Sequence, residues 1–171
     1  MVKKLLLLFF TFSFSYFTCI NSVKAQNPDI KRTWHWYFGD SAGIDFSSGV
    51  PKADTNGNMY APESGSSISD TNGNLVFYTN GTIVYNHLHK IIDTGLDGEG
   101  TPYQSSIIVP EPGNDSIFFI FTNDGEDAPD TTLGLRYSVV NMKANSGLGA
   151  VIKKNILLFT PSPDVYFHGS F

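Results

Sequence analysis

The residues with most chemical potential are oxygen ligands in loops. "DTNGN" occurs twice, at Asp54–Asn58 and Asp70–Asn74, and "NDGEDAPD" gathers Asp124, Glu126, Asp127 and Asp130. Such oxygens suit calcium, whose helix–loop–helix sites alternate ligands, place Gly sixth and end in a bidentate Glu at the twelfth position. The repeats do not keep that spacing. Their glycines stand fourth, and the twelfth positions hold Gly65 and Gly81. The reading favoured for both is a turn: Asn-Gly supplies positive φ, and a leading Asp accepts backbone amides two residues on. The Asp124–Asp130 run reads as a solvated turn, and it is also the candidate place for a loosely held calcium ion.

Other constellations are thinner. His87 and His89 share a face if they lie on a strand, as zinc ligands can, yet no third or fourth ligand stands near, so loop histidines are expected. Asp40 or Asp45 with Glu63 could form a glycosidase carboxylate pair, whose outcome depends on a separation that sequence does not give. Beside Gly39 and Gly43, the two aspartates read more simply as turn and cap residues. There is no G-x-S-x-G motif, and the single cysteine, Cys19, lies in the N-terminal segment read below as a signal peptide. The chain is therefore expected to be non-enzymatic and to carry no cofactor, calcium being the one alternative. Aromatic residues at Trp34, Trp36, Tyr37 and Phe38 suit stacking on a sugar or peptide. Strand alternation puts Trp36 and Phe38 on one face and Tyr37 on the other. The expectation is that Trp36 and Phe38 are core and that Trp34 and Tyr37 are available to a ligand.

The elements that must position these groups are strands. Short β-rich runs alternate with turn signals, and no helical period persists. They are "HWYFG" (His35–Gly39), "SSIS" (Ser66–Ser69), "LVFYT" (Leu75–Thr79), "TIVYN" (Thr82–Asn86), "SSIIVP" (Ser105–Pro110), "SIFFIFT" (Ser116–Thr122), "LRYSVVNM" (Leu135–Met142) and "VIKKNILLF" (Val151–Phe159). Asp70–Asn74 is expected to close a five-residue hairpin and Asn80-Gly81 a two-residue one, giving a meander over Ser66–Asn86. Phe77, Ile107, Val109, Phe119, Phe121, Tyr137 and Val139 are the expected core. Successive hairpins are the pattern of a propeller or sandwich.

The N-terminus sets the compartment. Lys3 and Lys4, the apolar run Leu5–Phe17 and Val23-Lys24-Ala25 make a secretory signal peptide over residues 1–25. The apolar run is too short to span a bilayer comfortably. Cleavage leaves 146 of 171 residues, and losing Lys3, Lys4 and Lys24 from 11 basic residues against 16 acidic ones leaves a net charge of −8. With no basic run longer than Lys153-Lys154, nucleic acid is not an expected partner. Without cysteine, the exported chain is held by apolar burial and hydrogen bonds alone.

"WYFGDSAGIDF" (Trp36–Phe46), "ESGSSISDTNGNLVFYTNGTIVYNHLHKII" (Glu63–Ile92), "YQSSIIVPEPGNDSIFFIFTND" (Tyr103–Asp124) and "GLRYSVVNMKANSGLGAVIKKNILL" (Gly134–Leu158) follow one another in a recurrent block. The block resembles the N-terminal β-propeller-like region of large secreted Bacteroidota surface proteins associated with type IX secretion and gliding motility. The family tends to have a cysteine where this chain has Ser64-Gly65-Ser66-Ser67, and its chains continue much further. The resemblance implies a surface or adhesion setting and transfers no catalytic residue. The expected organisation is a leader at 26–33, an all-β domain at 34–160 forming a partial, about three-blade, propeller-like unit of antiparallel hairpins, and an irregular tail at 161–171. The expected function is a non-enzymatic exported binding module, on the cell surface or outside the cell, with an extracellular glycan or envelope protein as partner. The alternatives are a glycan-active enzyme on the same scaffold, with Asp40 and Glu63 as its carboxylates, and a truncated product without function.

Overall fold

Strand-forming runs cut by Asn, Gly and Asp predict hairpins, and hairpins are what the chain builds. The computed structural model describes residues 30–62, 64–98, 105–123 and 134–160. A 3-10 turn at Ile30–Thr33 leads into twelve strands: β1 (His35–Asp40), β2 (Ala42–Asp45), β3 (Lys52–Asp54), β4 (Tyr60–Ala61), β5 (Ser66–Ser69), β6 (Leu75–Thr79), β7 (Ile83–Asn86), β8 (Ile91–Thr94), β9 (Ser106–Pro110), β10 (Ile117–Thr122), β11 (Leu135–Asn141) and β12 (Ala150–Phe159). They form three four-stranded antiparallel sheets, ordered β3-β2-β1-β4, β5-β6-β7-β8 and β12-β11-β10-β9. We call them sheets 1, 2 and 3. The chain is all-β, as expected, and eight of its strands coincide within a residue or so with the sequence runs. The expected signal peptide over residues 1–25, residues 161–171, Glu63 and the acidic loop Asp124–Asp130 lie outside the described residues. Among the described residues no helix is long and apolar enough to cross a membrane.

Turn chemistry fixes the registers. Asp70 closes the β5–β6 hairpin: its carboxylate accepts the amides of Asn72 (2.8 Å) and Asn74 (2.9 Å) and the side-chain amide of Asn74 (2.9 Å). Gly73 takes φ +94° at the turn's fourth position. Asn86 repeats the device between β7 and β8, accepting Leu88 and Lys90 amides at 3.0 Å each. There His89 occupies the left-handed position at φ +59°, a placement uncommon for L residues in which His, like Asn and Asp, is enriched. The Asn80-Gly81 connection is longer than the expected two residues. The last pair across it is Thr79↔Val84, and Asn80 Oδ1 spans the gap by accepting the amides of Thr82 and Ile83. The first DTNGN is not a hairpin. Asp54 accepts the Asn56 amide, but β3 on one side pairs with β2 and β4 on the other pairs with β1. Its register is set by docking, described below.

Sheet 2 is the middle layer, buried on both faces. Ile68, Phe77, Val84 and Leu96 meet Ile108, Phe118, Ile120 and Val140 of sheet 3. The Phe77 and Phe118 rings cross edge to face at 5.3 Å and 81°. On its other side Tyr78 and Tyr85 meet Tyr37, Met59 and Ala61 of sheet 1. Each fully buried aromatic here contributes roughly 1.5–3 kcal/mol by removal from water. A sheet covered on both faces reads as a continuous apolar run rather than an alternating one, which explains "LVFYT" and "TIVYN".

Two burial expectations are overturned. Trp36 and Phe38 were expected inside, and they are 49% and 41% exposed, whereas Tyr37 between them is buried. In sheet 3 the expected core of Ile107, Val109, Phe119, Phe121 and Tyr137 lies on the outer face with Val139. Of these only Val139 is buried, and the packed face is Ile108, Phe118, Ile120 and Val140. Alternation was right and its parity was not. "SIFFIFT" is apolar on both faces, so hydropathy gives no sign to choose between them. Phe77 is core as expected.

Candidate functional site

Three groups of side chains could carry function, and each is built where sheets meet. The first is a polar seam between sheets 1 and 2. His35 on β1 places Nδ1 3.0 Å from Ser69 Oγ and Nε2 3.6 Å from Asp45 Oδ1. By residue type this is a nucleophile, base and acid in line. Geometry decides otherwise: Ser69 is fully buried, so no substrate atom can approach its oxygen. Asp45 is also engaged by the Ser47 amide at 2.7 Å and its hydroxyl at 2.9 Å. Those two bonds, chiefly the amide, hold its carboxyl below the usual range. The seam is a tie between sheets, reinforced by Ser67 Oγ donating to the His35 carbonyl at 2.7 Å.

The second group is a tyrosine stack. Tyr37 lies on Tyr78 at 4.5 Å and Tyr78 on Tyr85 at 5.1 Å, both nearly parallel. Room for Tyr37 comes from Gly43 on β2, where an added Cβ would sit 3.0 Å from the ring. Tyr37 donates its hydroxyl to Asp54 Oδ2 at 2.7 Å. The Asn58 amide donates to Tyr78 Oη at 3.1 Å, which leaves the Tyr78 hydrogen for His89 Nδ1, 3.1 Å away. Asn58 Nδ2 donates to the His89 carbonyl at 2.8 Å. So the first DTNGN is a strap: Asp54 ties one end to Tyr37 within sheet 1, and Asn58 fastens the other end to the β7–β8 turn. Burial raises the Tyr37 hydroxyl pKa most, with the Asp54 hydrogen bond adding to it. Burial likewise raises Tyr78 and Tyr85 and lowers His89. The Tyr37 and Tyr78 hydroxyls are both engaged and the three rings pack on one another, so the group's work is structural.

The third group has an opening. A cleft of about 280 Å³ lies where β1, β5 and β9 converge, lined by Trp36, Phe38, Ser66, Ser67 and Ile107 among others. Trp36 is held in place by its Nε1 donating to the Thr33 carbonyl at 2.8 Å and by the Phe46 ring at 5.3 Å. The serines that begin β5 and β9 interlock, Ser66 Oγ donating to the Ser106 carbonyl and Ser64 Oγ meeting Ser105 Oγ at 2.7 Å. Ser66 and Ser67 therefore spend their hydrogens on backbone carbonyls, Ser66 Oγ also accepts from Ser106 Oγ at 3.3 Å, and the remaining lone pairs are acceptors at the cleft. Rigid strands, two exposed aromatic rings and hydroxyl acceptors make this the arrangement best suited to hold a ligand.

The expected ligand residues fare differently. Tyr37 is buried, with its ring stacked on Tyr78, and it also forms part of the cleft wall. Trp34 is half-buried, with Lys31 Nζ 5.0 Å above its ring and Gly73 of the second DTNGN turn pressed against it. Which ring of the cluster is accessible depends on which face of β1 meets sheet 2. His87 and His89 lie in the β7–β8 turn rather than on a strand. Among the described residues no group of three or more His, Cys, Asp or Glu could hold a metal. Asp40 is exposed on β1. Asp124, Glu126, Asp127 and Asp130 lie outside the described residues. Comparison with protein-family models, curated proteins and solved structures gives no match.

Proposed function

We propose that this chain is an exported binding module that holds an extracellular glycan at the Trp36–Phe38 cleft. The observation that carries the reading is the exposure of two large aromatic rings on a strand whose neighbour, Tyr37, is buried. Exposed rings on rigid backbone stack on the C–H faces of sugars at little entropic cost. The hydroxyl oxygens of Ser66 and Ser67 supply acceptors for sugar hydroxyls. The cleft sits near the lower end of small-ligand pockets, roughly 300 Å³, which suits a short stretch of a polysaccharide. Two meander sheets and sheet 1, in which β4 returns to pair with β1, lie side by side with the first strands β5 and β9 in contact, and this supports a partial propeller-like arrangement. The resemblance to secreted Bacteroidota surface proteins and the signal-peptide pattern support the exported setting.

Trp36 is one of two tryptophans, so its fluorescence reports on the cleft. Titration with a panel of extracellular polysaccharides should change that fluorescence. Trp36→Ala should weaken binding about tenfold or more while unfolding stays cooperative. No response to any glycan, or binding indifferent to Trp36→Ala, would refute the reading. Capture of an envelope protein through the same cleft would reassign the ligand class.

A further inference from the structure

The cleft where β1, β5 and β9 converge has a one-sided polarity, set by where its hydrogens go. Five of its lining residues carry a side-chain donor, and each donor is already committed inside the protein. Trp36 Nε1 donates to the Thr33 carbonyl at 2.8 Å, and Thr33 Oγ1 donates to the Ile30 carbonyl at 3.1 Å. Tyr37 Oη donates to Asp54 Oδ2 at 2.7 Å. Ser66 Oγ donates to the Ser106 carbonyl, and Ser67 Oγ donates to the His35 carbonyl at 2.7 Å. Carbonyl and carboxylate oxygens only accept, so these bonds run in one direction. The remaining lining residues are glycine or apolar, and among the described residues no Lys, Arg or His lines the cleft. What the side chains leave turned towards a ligand is oxygen lone pairs and ring faces.

We infer that the side chains of the cleft accept hydrogen bonds from the ligand and give none, and that the glycan held there is a neutral, hydroxyl-rich stretch without carboxylate, sulfate or phosphate groups. This rests on the glycan reading above and narrows its ligand class. Sugar hydroxyls bring their own hydrogens to the lone pairs of Ser66 and Ser67, while sugar C–H faces lie on Trp36 and Phe38. An acidic group brings only lone pairs and a charge. To meet it, a serine must turn its hydrogen away from a backbone carbonyl and give up a bond that ties neighbouring strands, leaving that carbonyl short of a partner. If the serines stay as they are, the anion loses water against aromatic and aliphatic side chains with no side-chain donor in return. The formal net charge of the chain, −5, opposes an acidic glycan at long range as well.

The test is binding of the full chain, as its expression host processes it, to soluble amylose, laminarin and cello-oligosaccharides. Each is measured beside a form whose primary alcohols have been oxidised to carboxylates, with tryptophan fluorescence as the readout. At least one neutral glucan should bind in a way that Trp36→Ala weakens, and its carboxylated form should bind about tenfold or more weakly. That gap should persist in about 1 M salt, where the screening length is only about 3 Å. Ile107→Arg, which places a donor at the half-buried edge of the cleft, should narrow the gap, with circular dichroism and a cooperative unfolding curve checking its fold. Equal binding of neutral and carboxylated forms, both through Trp36, overturns the inference and leaves the cleft a glycan site. A gap that closes in high salt overturns it too, because long-range charge then does the selecting. A gap that folded Ile107→Arg leaves unchanged also counts it out. Binding of none of the set, or of carboxylated forms alone, overturns the inference, and the glycan reading falls with it only if the wider polysaccharide panel is silent as well.

Discussion

Gly73→Ala isolates how the second DTNGN turn is seated, and its cost can be worked from two distances. Gly73 sits at φ +94°, and a Cβ added there would lie 2.2 Å from Trp34 Cε3 and 2.5 Å from Cζ3. Carbon atoms prefer about 3.5–4.0 Å, so the indole must retreat by more than an ångström or the turn must lift. The left-handed backbone alone costs an L residue roughly 1–2 kcal/mol. Overpacking against a half-buried ring adds roughly 1–3 kcal/mol. The expected destabilisation is therefore about 2–5 kcal/mol, large against the whole stability of a small domain. Gly113→Ala is the matched control: φ is +76° and no atom lies within 4 Å of the new Cβ, so only the backbone part applies. Urea unfolding, with the slope checked for constancy, measures both. Trp34→Ala in the Gly73→Ala background should recover part of the loss, a coupling of about 0.5–3 kcal/mol. If Gly73→Ala costs no more than Gly113→Ala, or if removing Trp34 recovers nothing, the turn is not seated on that ring.

Other expectations follow from burial and charge. Phe118→Ala should cost about 3–5 kcal/mol, because the ring is fully buried against Phe77, and Phe119→Ala on the outer face should cost clearly less in the same dilute denaturation series. Equal costs would restore the parity read from sequence. The pKa values of Tyr37, Tyr78 and Tyr85 are raised by burial, so above about pH 10 the unfolded chain ionises first and stability falls as pH rises. Tyrosinate absorbance should show these three ionising only with unfolding, and early, independent titration of all tyrosines would refute the stack. His89 is lowered by burial. Its unfolded form takes up a proton below about pH 6.5 while the folded form resists, so stability declines as pH falls through that value. His89→Asn, which accepts the left-handed backbone, should flatten that limb of a stability–pH curve; an unchanged limb would place the effect elsewhere.

Local chemistry was legible without coordinates. "DTNGNLVFYTN" marks a turn because Asp can accept amides two and four residues on and Gly can take positive φ. Both are properties of a few consecutive residues, and the Asp70 hairpin has both. The strand runs were legible for the same reason, since β-branched and aromatic content is local. The short strands β2, β3 and β4 were missed because they carry little of that content and are held by neighbours rather than by propensity, and β8, although β-branched, is only four residues long. The fate of identical motifs was not legible either. Asp54–Asn58 has the same five residues as Asp70–Asn74, and it becomes a strap because Tyr37 and the His89 turn claim its ends. The candidate site shows the same limit. Sequence could place Trp34, Trp36, Tyr37 and Phe38 in one aromatic cluster, and only the packing of sheet 1 on sheet 2 decided that Tyr37 goes in and Trp36 and Phe38 come out. A strand's period is set by its own backbone, whereas its buried face is set by what lies across the sheet, many residues away in the chain.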